Sequence, residues 1–192
     1  MLIILLSCLL ILSTSAQSIH IGRCPDVNVV QSLDVNKYTG VWYEYERSFP
    51  NPFEFAGKCV TANYTMGEND TIIVVNSQIS SITGKPSSIK GTAEVDDAAC
   101  GNSTGCGKLI VKFPVPIVGQ VKGTYWVLDT DYTTYSAVWS CTDYYLFHTV
   151  YAWVLTREQN PTQAVLDTAR NVFLENNVDW IYMTKTDQEN CS

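Results

Sequence analysis

Charge is scarce in this sequence, and basic charge scarcer still: charged residues make up 16%, with 12 Lys and Arg against 19 Asp and Glu, for a formal net charge of −7. No run of lysines and arginines exists to reverse that balance locally. That balance argues against nucleic acid and anionic lipid surfaces as partners. Histidine is almost absent, with His20 and His148 far apart. Neither sits by a nucleophile elbow, which removes support for Ser-His-Asp catalysis. Nor does histidine accompany Cys100 and Cys106, whose separation matches no zinc pattern. A membrane-spanning run is missing too, since the apolar stretch from Leu2 to Leu12 falls well short of the about 20 residues a span needs.

That apolar stretch has a different reading. The first sixteen residues carry no charged side chain, and Thr14-Ser15-Ala16 supplies the small residues read by a signal peptidase. Residues 1–16 are expected to be a signal peptide and residues 17–192 a single secreted, extracellular domain. Removal of Cys8 with the leader turns seven cysteines into six, Cys24, Cys59, Cys100, Cys106, Cys141 and Cys191. An even number in an exported chain reads as disulfides, although six cysteines allow fifteen pairings. Asn63, Asn69 and Asn102 open Asn-x-Ser/Thr sequons and are expected to carry glycans.

Strand signals recur every ten to fifteen residues, which favours a meander over strand-helix-strand units. The pattern predicts strands near 41–48, 59–66, 71–79, 88–95, 107–113, 122–129, 135–142 and 149–157, after an extended arm over 17–33 and a helical turn over 33–38. Pro114 and Pro116 are expected to break the fifth strand. Asn160 and Pro161 look like a helix start, followed by a stripe of Val165, Ala169, Val172 and Phe173 that suits packing on a barrel's outer wall. A last short strand is expected over 180–184. Eight strands close into a barrel with room for one small ligand.

Lys37 to Glu44 organises this plan, because Gly40 lets the backbone turn and Trp42 opens the first strand. Trp42 is too large an apolar surface to leave in water. Arg157, at the end of the last strand, is the best available cover, and a cation over an indole gains about 0.5 to 2 kcal/mol. Gly40-x-Trp42, the Thr130-Asp131-Tyr132 turn and the strand-terminal Arg157 resemble, in order and spacing, the three signature blocks of the lipocalin family. Asp129 to Tyr132 with Tyr135 and Ser140-Cys141, and Gly22 to Pro25, are similar to the apolipoprotein D-like branch, with its Lazarillo-like, bilin-binding and crustacyanin-type arthropod members.

The resemblance implies a mainly β fold: an eight-stranded antiparallel up-and-down barrel with one C-terminal α-helix packed outside. It also implies two bridges, Cys24–Cys141 and Cys59–Cys191, leaving Cys100–Cys106 to close a local loop. Alternation from Trp42 and Arg157 turns Glu44, Glu46, Ser48, Tyr151 and Trp153 inward, with Tyr45 and Arg47 outward. Tyr64 faces inward opposite the glycan site, as do Val138 and Ser140 opposite Cys141. The same phase places Val74, Asn76, Ile89, Val111, Phe113, Tyr125 and Val127 on the inner wall. Such a sleeve of apolar groups with a few polar tips suits a small hydrophobic ligand. The alternative is that these side chains fill the barrel as core. Glu44 and Glu46 are read as hydrogen-bonding to polar neighbours in preference to acid–base chemistry.

Function follows from the resemblance: a secreted, non-enzymatic carrier of a fatty acid, other lipid, sterol, retinoid, bilin or carotenoid, with no required cofactor. A role in lipid metabolism and oxidative-stress protection, a pigment-binding subunit of an oligomeric chromoprotein, and an isomerase using an unpaired cavity cysteine complete the set of readings, with a homo-oligomer as a further partner expectation. Phe53 and Phe55, on the first loop, are candidates for contact with a membrane or a receptor.

Overall fold

The computed structural model describes residues 19–51, 54, 56–69, 71–101, 105–115 and 117–191. The signal segment, Asn102, Pro116 and the Phe53 and Phe55 loop positions lie outside the described residues. In chain order the elements are β1 (Ile19–Ile21), α1 (Val35–Tyr38), β2 (Gly40–Ser48), β3 (Gly57–Met66), β4 (Ile72–Ser80), β5 (Pro86–Val95) and α2 (Asp97–Cys100). They continue with β6 (Lys108–Val115), β7 (Gly119–Thr130), β8 (Tyr135–Asp143), β9 (Phe147–Thr156), α3 (Gln163–Glu175) and β10 (Met183–Lys185).

Each strand from β2 to β9 pairs antiparallel with the next, and β9 pairs back onto β2. That last pairing closes the eight strands into a barrel, which removes the exposed edges of an open sheet. Two short strands add to the outside. The N-terminal arm supplies β1, which pairs with β9 and sets His20 opposite His148. β10 pairs with the upper half of β2, where β2 has already parted from β3, since their register runs only from Gly40↔Tyr64 to Tyr43↔Thr61.

Three local expectations are corrected. β6 does not break at Pro114 but runs on to Val115, with Pro114 opposite Gln120 at the frayed end of the ladder, a position where a missing N–H costs little. The helix begins after Thr162, not Asn160, because the Thr162 hydroxyl accepts from the Val165 N–H. The final strand is Met183–Lys185, so Trp180 precedes it.

Two apolar clusters share the barrel wall. Outside it, Leu166, Ala169, Val172 and Phe173 of α3 pack on Ala137, Trp139, Val150, Ala152 and Val154. Inside, Trp42, Tyr64, Val74, Leu109, Val127, Val138 and Leu155 form the second cluster. Strict alternation in β8 and β9 separates the two sets, because successive side chains take opposite faces. Disulfides Cys24–Cys141 and Cys59–Cys191 tie the arm and the tail to the wall, and Cys100–Cys106 closes a loop after α2. Asn63 lies half-buried on β3 and Asn69 is exposed at the next turn.

Candidate functional site: the barrel interior

The closed end is built around Trp42, which is wholly buried. The Arg157 guanidinium lies 3.7 Å from the centre of its ring, and the Trp42 indole N–H donates to the Tyr38 carbonyl at 2.9 Å. Arg157 also donates to the carbonyls of Lys37, Tyr38, Thr39, Val41 and Tyr132. A planar five-donor group thereby gathers the carbonyls left over where α1 turns into β2. Gly40 is needed there: its φ is +95°, and an added Cβ would sit 3.2 Å from the guanidinium. On the facing turn, the Asp131 carboxylate accepts from the backbone of Thr133, Thr134 and Tyr135, while Thr130 bridges Tyr132 and Tyr135. The signature residues are thus one hydrogen-bonded plug.

Above the plug a chain of hydroxyls crosses the barrel. Tyr64 donates to Tyr125 at 2.8 Å, Tyr125 meets Tyr38 at 2.9 Å, and Tyr38 meets Ser136 at 2.9 Å. Burial pushes the Tyr38 phenol up to about 12 and raises Tyr64 and Tyr125 well above the ordinary tyrosine range. These groups stay neutral and act as hydrogen-bonding struts. Val127 and Val138 have no exposed surface and Val74 almost none. They belong to this packed floor with Tyr64, whereas the sequence reading counts all four as ligand contacts.

Open surface inside the barrel is left to the upper half. Asn76, Ile89, Val111, Phe113, Tyr125, Tyr151 and Trp153 keep intermediate exposure on inward positions. Ser140 also points inward, but it is buried, with its hydroxyl 3.0 Å from that of Thr124. Asn76 Oδ1 is buried without a hydrogen-bond partner among the described residues.

β2 does not keep its phase. A bulge at Tyr45 puts Glu44 opposite Leu155, Glu46 opposite Val154 and Arg47 opposite Trp153. An extra residue in one strand reverses the facing of everything beyond it. Glu46 therefore turns out, where Arg170 of α3 pairs with it. Ser48 leaves the inner wall as well and accepts from the Ala152 N–H. Arg47, expected outside, turns in.

Glu44 is 2% exposed and receives Arg47 Nη1 at 2.6 Å, together with the Thr186 hydroxyl from the tail. The first loop then brings a second carboxyl into the barrel, Glu54, whose side chain is 17% exposed. Its Oε2 accepts from Asn51 Nδ2 at 2.7 Å and Trp153 Nε1 at 3.4 Å, and lies 3.9 Å from Arg47 Nε. Burial, and then the neighbouring Glu44 carboxylate, push the Glu54 pKa well above the usual range and favour its protonated form. Sequence reasoning missed Glu54 and Arg47. Both depend on a bulge and a loop path that no periodicity announces.

At this end the rim is apolar. Ile82, Ile117, Val118, Tyr145 and Leu146 at the loop tips are 71% exposed or more. A groove of about 1150 Å³ also runs along the outer wall past Tyr43, Thr61, Ser77 and Ser88. Mostly hydroxyl and amide groups line it, so it offers less to a hydrophobic ligand than the aromatic inner wall.

Comparison with known proteins agrees with this geometry. The model of the lipocalin-like domain family matches residues 33–186. The chain is 38% identical to apolipoprotein D of Cavia porcellus over 100% of its own length and 97% of that protein. It is 34% identical to the Lazarillo protein of Schistocerca americana, over 94% of this chain and 81% of that one. Among solved structures, insecticyanin from the tobacco hornworm Manduca sexta superposes with a TM-score of 0.74 at 27% identity, covering 90% of this chain and 89% of its own. Lobster apocrustacyanin A1 shares the fold, with a TM-score of 0.73 at 21% identity over 91% and 93% of the two chains.

Proposed function

The chain belongs to the lipocalin family, and from that premise we propose that it is a secreted, non-catalytic carrier that holds one small hydrophobic molecule in the upper half of its barrel. The observation that carries this reading is the inner wall around Phe113, Tyr125, Tyr151 and Trp153, which keeps accessible surface inside a closed barrel above a packed floor. Burying apolar ligand surface at about 25 cal/mol per Å² supplies the driving force, and the wall's few polar tips select orientation. Fatty acids, other lipids, retinoids, bilins and carotenoids are the candidate classes. Transport of such a molecule bears on lipid metabolism and on protection from oxidative stress.

The three disulfides support an extracellular setting, since such bonds persist in oxidising compartments. They also occupy all six cysteines among the described residues, which weighs against a cavity thiol and hence against isomerase chemistry. The exposed rim at Ile117, Tyr145 and Leu146 supports transient contact with a membrane or receptor where the ligand passes. A pigment-binding subunit of a homo-oligomer would use the same cavity, and visible colour in the natively purified protein distinguishes it.

The test is titration of the purified protein with retinol, oleate, biliverdin and astaxanthin, read by tryptophan emission. Saturable quenching at micromolar concentration by at least one of them is expected. Absence of binding across the whole set would mean that the barrel is filled by its own side chains.

A further inference from the structure

The charged groups within the barrel are unevenly matched. On the inward phase of the eight strands only Glu44 and Arg47 are charged, and Glu54 is added from the loop. The strand lysines point the other way: Lys108 lies over the outer Trp126 ring, Lys112 pairs with Glu94, and Lys58 stands opposite Ile79 on the outer wall. Two carboxyl groups therefore share one guanidinium, and that guanidinium already binds Glu44 at 2.6 Å.

Hydrogen-bonding capacity is unbalanced in the same sense. Most donors near the cluster are engaged: Arg47 Nη1 on Glu44 and Thr186 and Nη2 on Gly57, Asn51 and Trp153 on Glu54, and Thr186 on Glu44, while Arg47 Nε stands 3.9 Å from Glu54. Acceptors are in surplus. Asn76 Oδ1, on the row that runs from Trp42 through Ala62, is a buried carbonyl without a donor, and a buried acceptor is costly to leave unpaired. What the upper barrel lacks is a positive group rich in N–H.

We propose that the barrel selects amphiphiles whose polar end is a protonated primary amine, set against Glu54 and Glu44 beside the Trp153 ring with the hydrocarbon tail along the inner wall. This deepens the carrier reading and rests on it. An ammonium supplies the missing unit of positive charge, brings three donors and gains from the indole face. A carboxylate head would instead face two carboxyl groups, with the only inward guanidinium among the described residues already bound to Glu44. The Glu54 proton is the counterpart of the ligand's charge. It is held among Glu44 and Arg47 from β2, Tyr64 from β3, Trp153 from β9 and Asn51 of its own loop. Binding the cation releases that proton to solvent, so amine affinity rises with pH by up to about tenfold per unit while Glu54 is protonated in the free protein.

Three probes with one tail, oleylamine, oleyl alcohol and oleate, isolate the head group when titrated below their aggregation concentrations with tryptophan quenching as the readout. The amine is expected to bind at least tenfold tighter than the alcohol, and oleate weakest. In Glu54→Gln the ratio of amine to alcohol affinity should fall at least tenfold. Calorimetry of the wild-type protein with oleylamine, in buffers of different ionisation enthalpy, should show net proton release and needs no variant to fold. Oleate binding as tightly as oleylamine, no proton release, or an unchanged preference in Glu54→Gln would each overturn the amine assignment. Alcohol binding without any gain for the amine defeats this inference and leaves the carrier standing; failure of all three probes defeats both.

Discussion

The closed and open halves of the barrel are made from the same eight strands, yet they satisfy polar groups in opposite ways. Below, Arg157 meets five carbonyls and the Trp42 face, and the tyrosine hydroxyls bond to one another. The inward polar groups named there have local partners, so the floor is a hydrogen-bonded stopper. Above, Glu44, Arg47 and Glu54 leave an excess of acid, Asn76 keeps an unpaired carbonyl, and aromatic surface remains open. Partnered polar groups are concentrated at one end and unsatisfied ones at the other. A buried polar network is stabilising only when it is complete.

Substitutions at the two ends should therefore separate stability from binding. The largest effect is expected for Trp42→Ala, which empties the plug and strips Arg157 of its ring. A loss of about 3–5 kcal/mol is expected in denaturant unfolding, with ligand binding lost along with the fold. Arg157→Ala keeps the indole but leaves carbonyls unpaired and should cost about 1–3 kcal/mol, seen as a lower Tm. If either variant melts like wild type, the plug is not where stability resides. Tyr64→Phe removes one strut and should cost about 1 kcal/mol, with ligand affinity nearly unchanged.

At the open end the expected signals are smaller in stability and larger in binding. Glu54 has a raised pKa in the folded chain, so its contribution is fully present below its unfolded value of about 4.5 and is lost as pH rises through its folded value. Thermal melts from pH 4.5 to 8 should show a stability decline in wild type that Glu54→Gln flattens. A wild-type slope identical to the variant's would mean that Glu54 is solvated. Trp153→Phe should change unfolding free energy by less than about 1 kcal/mol while removing much of the quenching by retinol. An unaltered quench in that variant would move the ligand away from β9.

Much of the lower half was legible in the sequence because its determinants are local or periodic. Gly40, Trp42 and Arg157 are rare residue types with narrow geometric uses, and alternation is reliable wherever an anchor fixes the phase, as Arg157 does for β9 and Cys141 for β8. The helix stripe from Val165 to Phe173 has a period that only one secondary structure can present as a face. Cysteine parity indicated oxidised bonds and left fifteen pairings open; the resemblance implied the two long bridges, which the structure contains.

The upper half was decided by tertiary structure. A bulge at Tyr45 leaves no composition signal, yet it exchanges the facing of Glu46 and Arg47 and so moves a cation into the barrel. The first loop's path, which carries Glu54 to Trp153 across about a hundred residues of sequence, has no period to read. Division of one inner face into packed floor and open wall, with Val127 and Val138 on one side and Phe113 and Tyr151 on the other, depends on how far opposite strands' side chains reach across the lumen. Short-range geometry sets which way a residue faces, and the sequence alone determined that for most strands. What a residue meets once it faces inward depends on the seven other strands, and only the closed barrel decides it.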